Sequence, residues 1–400
     1  MSDRRSRVRA AALLAAGALA LTACQSDDLP AGNAGEPGDS GESSTPSLPA
    51  FELTSSVQRG ARDVPVDKEL TLEAEGGTID AVRATSDAGP LRGEVSDDGS
   101  RWTADGGLEP GTSYTVTTTA SREDGSQVRR TLRFSTRDLS LDEQTYPSVA
   151  PLDDETVGVG MPVIVNFDLP VKDKAEFQRH MTVTSKPAQP GTWHWLSDTE
   201  AHWRPKTYWK PGTDVHVDVD VNSVNAGNGI YGQESRELDF EVGDAHIYKV
   251  DMVSHQMKVF SNGKLLRTIP ITTGEQPAYT TRSGTKVIIE KFDSKTMNSE
   301  TVGITGADAY NIDDVQWAMR LTYSGEFIHA APWSVGSQGV ANVSHGCTGM
   351  STENAGWLYA MSRRGDVVEY TGSDRQMTLD NGYGDWNESY QQYRQGSALG

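Results

Sequence analysis

Beyond residue 50, apolar and polar positions alternate with period two over most of the chain, the mark of half-buried β-strands. Tyr114, Val116 and Thr118 fall on one face of such a run, and Val215, Val217 and Val219 on one face of another. Each run follows a Pro-Gly turn, and each segment closes with a second alternating stretch, Thr131-Leu132-Arg133-Phe134 or Glu237-Leu238-Asp239-Phe240. These runs belong to an internal repeat. Trp102 with Glu109-Pro110-Gly111-Thr112-Ser113-Tyr114-Thr115-Val116 recurs as Trp203 with Lys210-Pro211-Gly212-Thr213-Asp214-Val215-His216-Val217, displaced by 101 positions. Repeats of about 100 residues built from short strands predict two immunoglobulin-like β-sandwiches, over 51–138 and 139–244. Neither carries the internal disulfide of antibody domains.

After Gly243 the pattern predicts a third, mostly-β domain over 245–372. Gln256–Phe260 and Lys264–Ile271 flank Asn262-Gly263, the strongest short hairpin signal. Further strands are expected at Lys286–Lys291, Trp317–Tyr323, Glu326–His329 and Asp366–Tyr370. One helix is expected, with Ser351 as N-cap, Glu353 in its first turn, apolar Trp357, Leu358 and Met361, and Gly365 as its stop. Residues 373–400 form an extension whose aromatics, Trp386 to Tyr393, are expected to pack back on this third domain. The four tryptophans Trp193, Trp195, Trp203 and Trp209 are read as core residues in preference to a carbohydrate-stacking platform.

At the other end, Arg4, Arg5, Arg7 and Arg9 precede an apolar run from Ala10 to Ala20, too short to span a bilayer and patterned as an export signal. Leu21-Thr22-Ala23-Cys24 resembles a lipobox, so 1–23 is expected to be removed and Cys24 lipidated as a membrane anchor. Residues 24–50 are Gly-, Ser-, Pro- and acid-rich and are expected to form a disordered tether, with a mean reach of roughly 25–30 Å. The working part is then extracytoplasmic. The chain carries a net charge of −20, and losing the four arginines and one aspartate of 1–23 makes it about −23. That sign excludes nucleic acid as a natural partner. There are two cysteines, so lipidation of Cys24 leaves Cys347 without a disulfide partner in an oxidising space.

Cys347 lies in Ser344-His345-Gly346-Cys347-Thr348-Gly349-Met350, just ahead of the expected helix. A helix N-terminus and a neighbouring imidazolium would both favour its thiolate. A nucleophilic cysteine also needs a base. His345 and His329 are both candidates, and spacing alone does not choose between them. The remaining histidines (His180, His194, His202, His216, His246 and His255) show no metal-ligand spacing, and neither a metal nor another cofactor is expected.

With these motifs the chain resembles the L,D-transpeptidases with a YkuD-type catalytic domain, in the actinobacterial lipoprotein branch carrying two immunoglobulin-like domains. The resemblance rests on His329 followed some sixteen residues later by Ser344-His345-Gly346-Cys347. It extends to His329-Ala330-Ala331-Pro332-Trp333-Ser334, Asn354-Ala355-Gly356-Trp357 and Gly384-Asp385-Trp386-Asn387. It implies Cys347 as nucleophile, His329 as base, the Ala330 carbonyl as its orienter and His345 as a supporting residue. The N–H groups of Gly346 and Cys347 and the Tyr310 hydroxyl become candidate oxyanion donors. Met297, Trp333 and Asn342 match substrate-lining positions, and Ser344 and Thr348 are expected beside them. The implied reaction forms 3→3 cross-links between peptidoglycan stem peptides through a thioester, releasing D-alanine, with carbapenems as acylating inhibitors and the chain acting as a monomer. Two rival readings are an L,D-carboxypeptidase on the same site and a weakly catalytic peptidoglycan-binding lipoprotein. The family usually follows Gly-Cys with an apolar residue and Asn, where this chain has Thr348 and Gly349.

Overall fold

The computed structural model describes residues 50–303 and 305–400. The export signal, Cys24 and almost all of the tether lie outside the described residues. The chain is mostly β, as its periodicity implies. The first repeat forms two four-stranded sheets, one containing Thr71–Glu75 and Arg101–Ala104, the other Gly77–Ser86, Ser113–Arg122 and Gln127–Ser135. Tyr114, Val116 and Thr118 all point into the core between them, with Tyr114 stacked on Phe134 at 5.2 Å. The second repeat builds another pair of sheets around Val215, Val217 and Val219. Trp193, Trp195, Trp203 and Trp209 are buried in that core, which leaves no exposed stacking platform among them.

Among the described residues the third domain has nine strands. They are β1 (His246–Asp251), β2 (Gln256–Ser261), β3 (Lys264–Pro270), β4 (Gly284–Val287), β5 (Glu290–Asn298), β6 (Asn311–Arg320), β7 (Phe327–Ala330), β8 (Thr348–Met350) and β9 (Val367–Thr371). One sheet runs β3-β2-β1-β9-β4 and the other β5-β6-β7-β8. Met257, Val259 and Ile269 from the first sheet meet Met319, Ile328 and Met350 from the second, and helix α1 (Thr352–Met361) caps this core with Ala355 and Leu358. Asn262 and Gly263 both adopt positive φ, 47° and 78°, which the tight β2–β3 hairpin requires. Parallel strands cannot be joined by a tight turn. β7 and β8 pair in parallel, so residues 331–347 must leave the sheet and return, and that excursion carries Trp333 and Ser344-His345-Gly346-Cys347.

Three expectations need correcting. The single strand expected at 286–291 is two strands in different sheets: Ile288 enters the core of the third domain, whereas Val287 and Ile289 enter the core of the second repeat. An apolar run facing two cores shows no break in its hydrophobicity. The helix begins at its expected cap, where Ser351 Oγ accepts from Asn354 N at 3.2 Å. It ends at Met361, however, because Ser362 Oγ returns to Leu358 O at 2.7 Å; Gly365, at φ 94°, serves the turn into β9.

The third correction concerns the aromatics of the extension 373–400: its first part pairs with the third domain as expected, but Trp386 to Tyr393 lie on the second repeat. Trp386 Nε1 donates to Gly160 O at 2.7 Å, and the Arg204 guanidinium sits over the rings of Tyr393 and Trp386 at 4.4 and 4.7 Å. Ser373, Arg375, Met377 and Asn381 pair instead with Thr280, Thr281, Ser283 and Ser324 of the third domain, and Asn387 brackets Thr285 there through N–H and C=O. Tyr383 completes the core that the second repeat shares with β4 and β9.

At the heart of this contact, His202 and Asp385 are both fully buried with Nδ1 and Oδ1 2.9 Å apart, and Glu200 holds the other ring nitrogen at 2.9 Å. Burial alone would push His202 down, but Asp385 and Glu200 outweigh it and hold the imidazolium at about 9. A histidine raised in the folded state stabilises fully below its unfolded value, about 6.5, and that contribution is lost as pH rises towards 9. The melting temperature should therefore decline between pH 6.5 and 9, and His202→Gln should flatten that decline. Equal slopes in a thermal melt series would refute the assignment.

Candidate active site

Cys347 stands at the entry to β8, one residue outside the β7–β8 ladder. It is 8% exposed, and its Sγ–H donates to Gly325 O at 3.5 Å. The thiol faces a cavity of about 250 Å³ lined by Met297, Tyr310, His329, Trp333, Ser344 and His345, among others. A smaller recess of about 130 Å³ meets the cysteine from the Arg320 and Tyr323 side. The three residues of β8 stand between Cys347 and the start of α1. Burial pushes the thiol up to about 12, opposed in part by the Phe327 N–H. At rest the sulfur is protonated.

His329, on β7, is 6% exposed and lies opposite Gly349 in the ladder. Its Nδ1 is 2.8 Å from Ala330 O. A carbonyl only accepts, so Nδ1 carries the proton and donates, which leaves Nε2 as a lone-pair acceptor. Burial holds the ring below the usual histidine value, hence neutral. Trp333, 57% exposed, stacks on it at 5.9 Å between centroids. His345 is exposed and packs between Tyr279 and Tyr310 at 4.4 and 5.0 Å. The structure thus separates the two histidines that spacing left open: one is buried, neutral and oriented by a carbonyl, and the other is an exposed member of an aromatic cluster.

The loop holding Cys347 is pinned by residues 272–281. Thr272 and Gly349 exchange backbone hydrogen bonds at 2.9 Å in both directions, and Thr281 Oγ1 donates to Gly346 O at 2.8 Å. Gly274 approaches so closely that a Cβ there would lie 1.8 Å from Tyr279 O. Gly346 needs its φ of 127°, a conformation that side-chain-bearing residues rarely adopt.

Met297, Tyr310, Trp333, Ser344, His345, His329 and Cys347 therefore converge on one cleft. Three expected residues do not serve as read from sequence. Asn342 is spent on structure: its Oδ1 accepts from Thr273 N at 3.0 Å and also meets His255 Nδ1, while Nδ2 donates to Met252 O. Thr348 is buried against the core, its hydroxyl 2.6 Å from the Tyr370 phenol. The Gly346 N–H donates to Ser344 Oγ at 3.2 Å, which removes it from the candidate oxyanion donors in this state. Residues missed by sequence reasoning are Thr272, Ile312, Ala331, Ser334, Val343 and Gly349, which complete the lining. Gly349 was singled out only as a departure from pattern. Its reason is space, since a Cβ would lie 2.8 Å from that of Ala331.

A thiol and a neutral imidazole opening on one cleft of a β-domain is the arrangement of cysteine-dependent acyl-transfer enzymes. Comparison with known proteins gives the particular family. The L,D-transpeptidase catalytic domain model matches residues 245–369, and a bacterial Ig domain model matches 61–225, running across both pairs of sheets. The chain is 36% identical to L,D-transpeptidase 2 of Mycobacterium tuberculosis over 351 residues, covering 87% of this chain and 85% of the relative. It is 34% identical to L,D-transpeptidase 5 of the same species, covering 88% and 78%. A solved structure of the L,D-transpeptidase LdtMt1 in complex with imipenem superposes with a TM-score of 0.50 at 35% identity, covering 56% of this chain and 97% of that one. The chain belongs to the L,D-transpeptidases, enzymes that act on the cell wall outside the cytoplasm.

Proposed function

We propose that the protein forms 3→3 cross-links between peptidoglycan stem peptides with Cys347 as nucleophile and His329 as base. The observation that carries this reading is the His329 Nδ1 contact with Ala330 O, which leaves Nε2 as the acceptor on the cleft it shares with the Cys347 sulfur. Nε2 takes the thiol proton as sulfur attacks the carbonyl carbon after the third residue of a donor tetrapeptide. The imidazolium then returns that proton to the departing amine, and D-alanine leaves. The side-chain amine of an acceptor stem attacks the thioester, loses its proton to His329, and restores the thiol.

Tyr310 is held at about 12, first by burial and then by Cys347, so its hydroxyl keeps its proton and can donate to the oxyanion with the Cys347 N–H. Met297, Trp333 and Ser344 line the substrate cleft, and His345 braces the Tyr310 ring. The bond energy comes from the donor peptide, and no cofactor enters. Carbapenems fit the same step as acylating inhibitors. Residues 51–138 and 139–244, read as two immunoglobulin-like domains, hold this domain away from a membrane to which Cys24 is tethered by lipid. Thr348 and Gly349 have places in this fold, so the departure they represent does not favour an inactive lipoprotein.

Incubating the protein with a donor tetrapeptide and an acceptor stem should yield D-alanine and a cross-linked dimer, read by mass. Tripeptide without dimer would replace this reading by an L,D-carboxypeptidase; no turnover and no acylation would replace it by a binding protein.

A further inference from the structure

Below the Cys347 loop, charged groups outside the cleft are packed away from water. Lys286, on β4, is fully buried, and Glu326, just before β7, is 4% exposed. Lys286 Nζ lies 2.5 Å from Glu326 Oε2, while Arg282 NH1 lies 3.0 Å from Oε1 and Arg282 N donates to the same oxygen at 3.1 Å. Nζ also sits 3.7 Å from the ring centre of Tyr370, whose phenol meets Thr348, the residue after the cysteine. Two cations face one carboxylate, so this cluster carries a net charge of +1. Leaving a charge buried and unbalanced is expensive, and an apolar residue of similar volume would avoid that cost.

The cluster adjoins the nucleophile's loop, since the Cys347 sulfur donates to the carbonyl of Gly325, the neighbour of Glu326, at 3.5 Å; at the sulfur Glu326 raises the thiol and Lys286 lowers it, Glu326 the more strongly. Tyr370 does not supply the missing negative charge, because burial keeps its phenol protonated. We propose that Lys286 is a positioning residue for the nucleophile, its ammonium supplying the countercharge for the Cys347 thiolate as the thiol proton passes to His329. The inference rests on the reading of Cys347 as nucleophile. Arg282, Glu326, Lys286 and the thiolate then form a balanced set of two positive and two negative charges. Lys286 stays protonated at neutral pH although burial lowers it to about 8, since Glu326 opposes the shift.

The other ionisable groups around the sulfur do not supply this charge. His329 is neutral at rest, and Tyr310 and Tyr323 are held protonated by burial. Arg320 is paired with Glu290 at 3.0 Å. Lys295, which lines the second recess, has its ammonium engaged over the Phe292 ring at 4.2 Å, and His345 is taken up in its aromatic cluster.

The test is the rate at which iodoacetamide alkylates Cys347 in the full-length protein, followed by intact mass from pH 6 to 10. Lys286→Met leaves Arg282 and Glu326 to cancel. It should slow alkylation about tenfold, displacing the pH profile upward by about one unit. Adding Glu326→Gln restores the net charge of +1 and should recover most of the rate, although it removes a further native contact. A purely structural role predicts that the double variant is no faster than the single one. That result, or a Lys286→Met profile that coincides with wild type, overturns the proposal. Melting curves of both variants identify misfolding: the single variant keeps the Arg282–Glu326 pair, and the double variant leaves Arg282 without its carboxylate. Carbapenem acylation of the wild type is measured in parallel: alkylation without acylation would count against the transpeptidase reading while leaving the Lys286 comparison intact.

Discussion

Replacing Cys347 by alanine should abolish covalent acylation by a carbapenem, with the intact mass unchanged where wild type gains one adduct. The effect should be total because a thioester route has no bypass: no other cysteine is present among the described residues, and a hydroxyl or water at this position lacks the nucleophilicity of sulfur. The substitution is also mild for the fold. Cys347 belongs to a small cluster with Met297, Val315, Ala318 and Phe327, and alanine leaves only a sulfur-sized gap there. Product formation from donor and acceptor stems should vanish with the adduct, while the melting temperature moves little. An adduct persisting on the alanine variant would place the nucleophile elsewhere.

Replacing His329 by alanine should slow acylation by about 10²–10⁴-fold, the usual contribution of a positioned base. The reason lies in the two opposed shifts at this site. Burial pushes the Cys347 thiol up to about 12 and pulls the His329 imidazole down. The thiol therefore cannot ionise alone near neutral pH, and the neutral ring is ready to accept its proton. With His329 lowered, base function should also persist to a lower pH than an ordinary histidine would allow, and the acylation rate should fall off only as pH drops through that lowered value. Stopped-flow acylation across pH tests both points. A His329→Ala variant that reacts at the wild-type rate, with an unchanged melt, would transfer the role to another group; His345, exposed beside Tyr279 and Tyr310, would then be the candidate.

Much of this was legible in the chain because it is local. Period-two alternation gave strands whose inward faces at Tyr114, Val116 and Thr118 and at Val215, Val217 and Val219 are buried in the structure. Asn262-Gly263 gave its hairpin because few residue pairs tolerate two positive φ angles in succession. Ser351 gave its helix start because a cap is a contact between residues three apart. His329 and the Ser344–Cys347 motif were paired by the family resemblance, spacing alone leaving His345 open, and the parallel ladder sets His329 opposite Gly349, two residues beyond Cys347.

What the chain did not disclose depends on contacts between distant segments. Asn342 looks like any polar residue near a motif until His255, Thr273 and Met252 are seen to use its amide. Thr348 turns inward because Tyr370, on β9, offers its hydroxyl. The aromatic tail finds the second repeat because His202, Arg204 and Gly160 accept it there, and no local pattern records that preference. The protonation states of the site are of the same kind. The sequence determined which chemical groups exist and which faces are apolar, because side-chain identity and strand periodicity are local properties. Only the tertiary structure decided that Cys347 is a protonated thiol, that His329 is a neutral imidazole and that Lys286 is a buried cation, because desolvation is set by whatever the rest of the chain packs around each group.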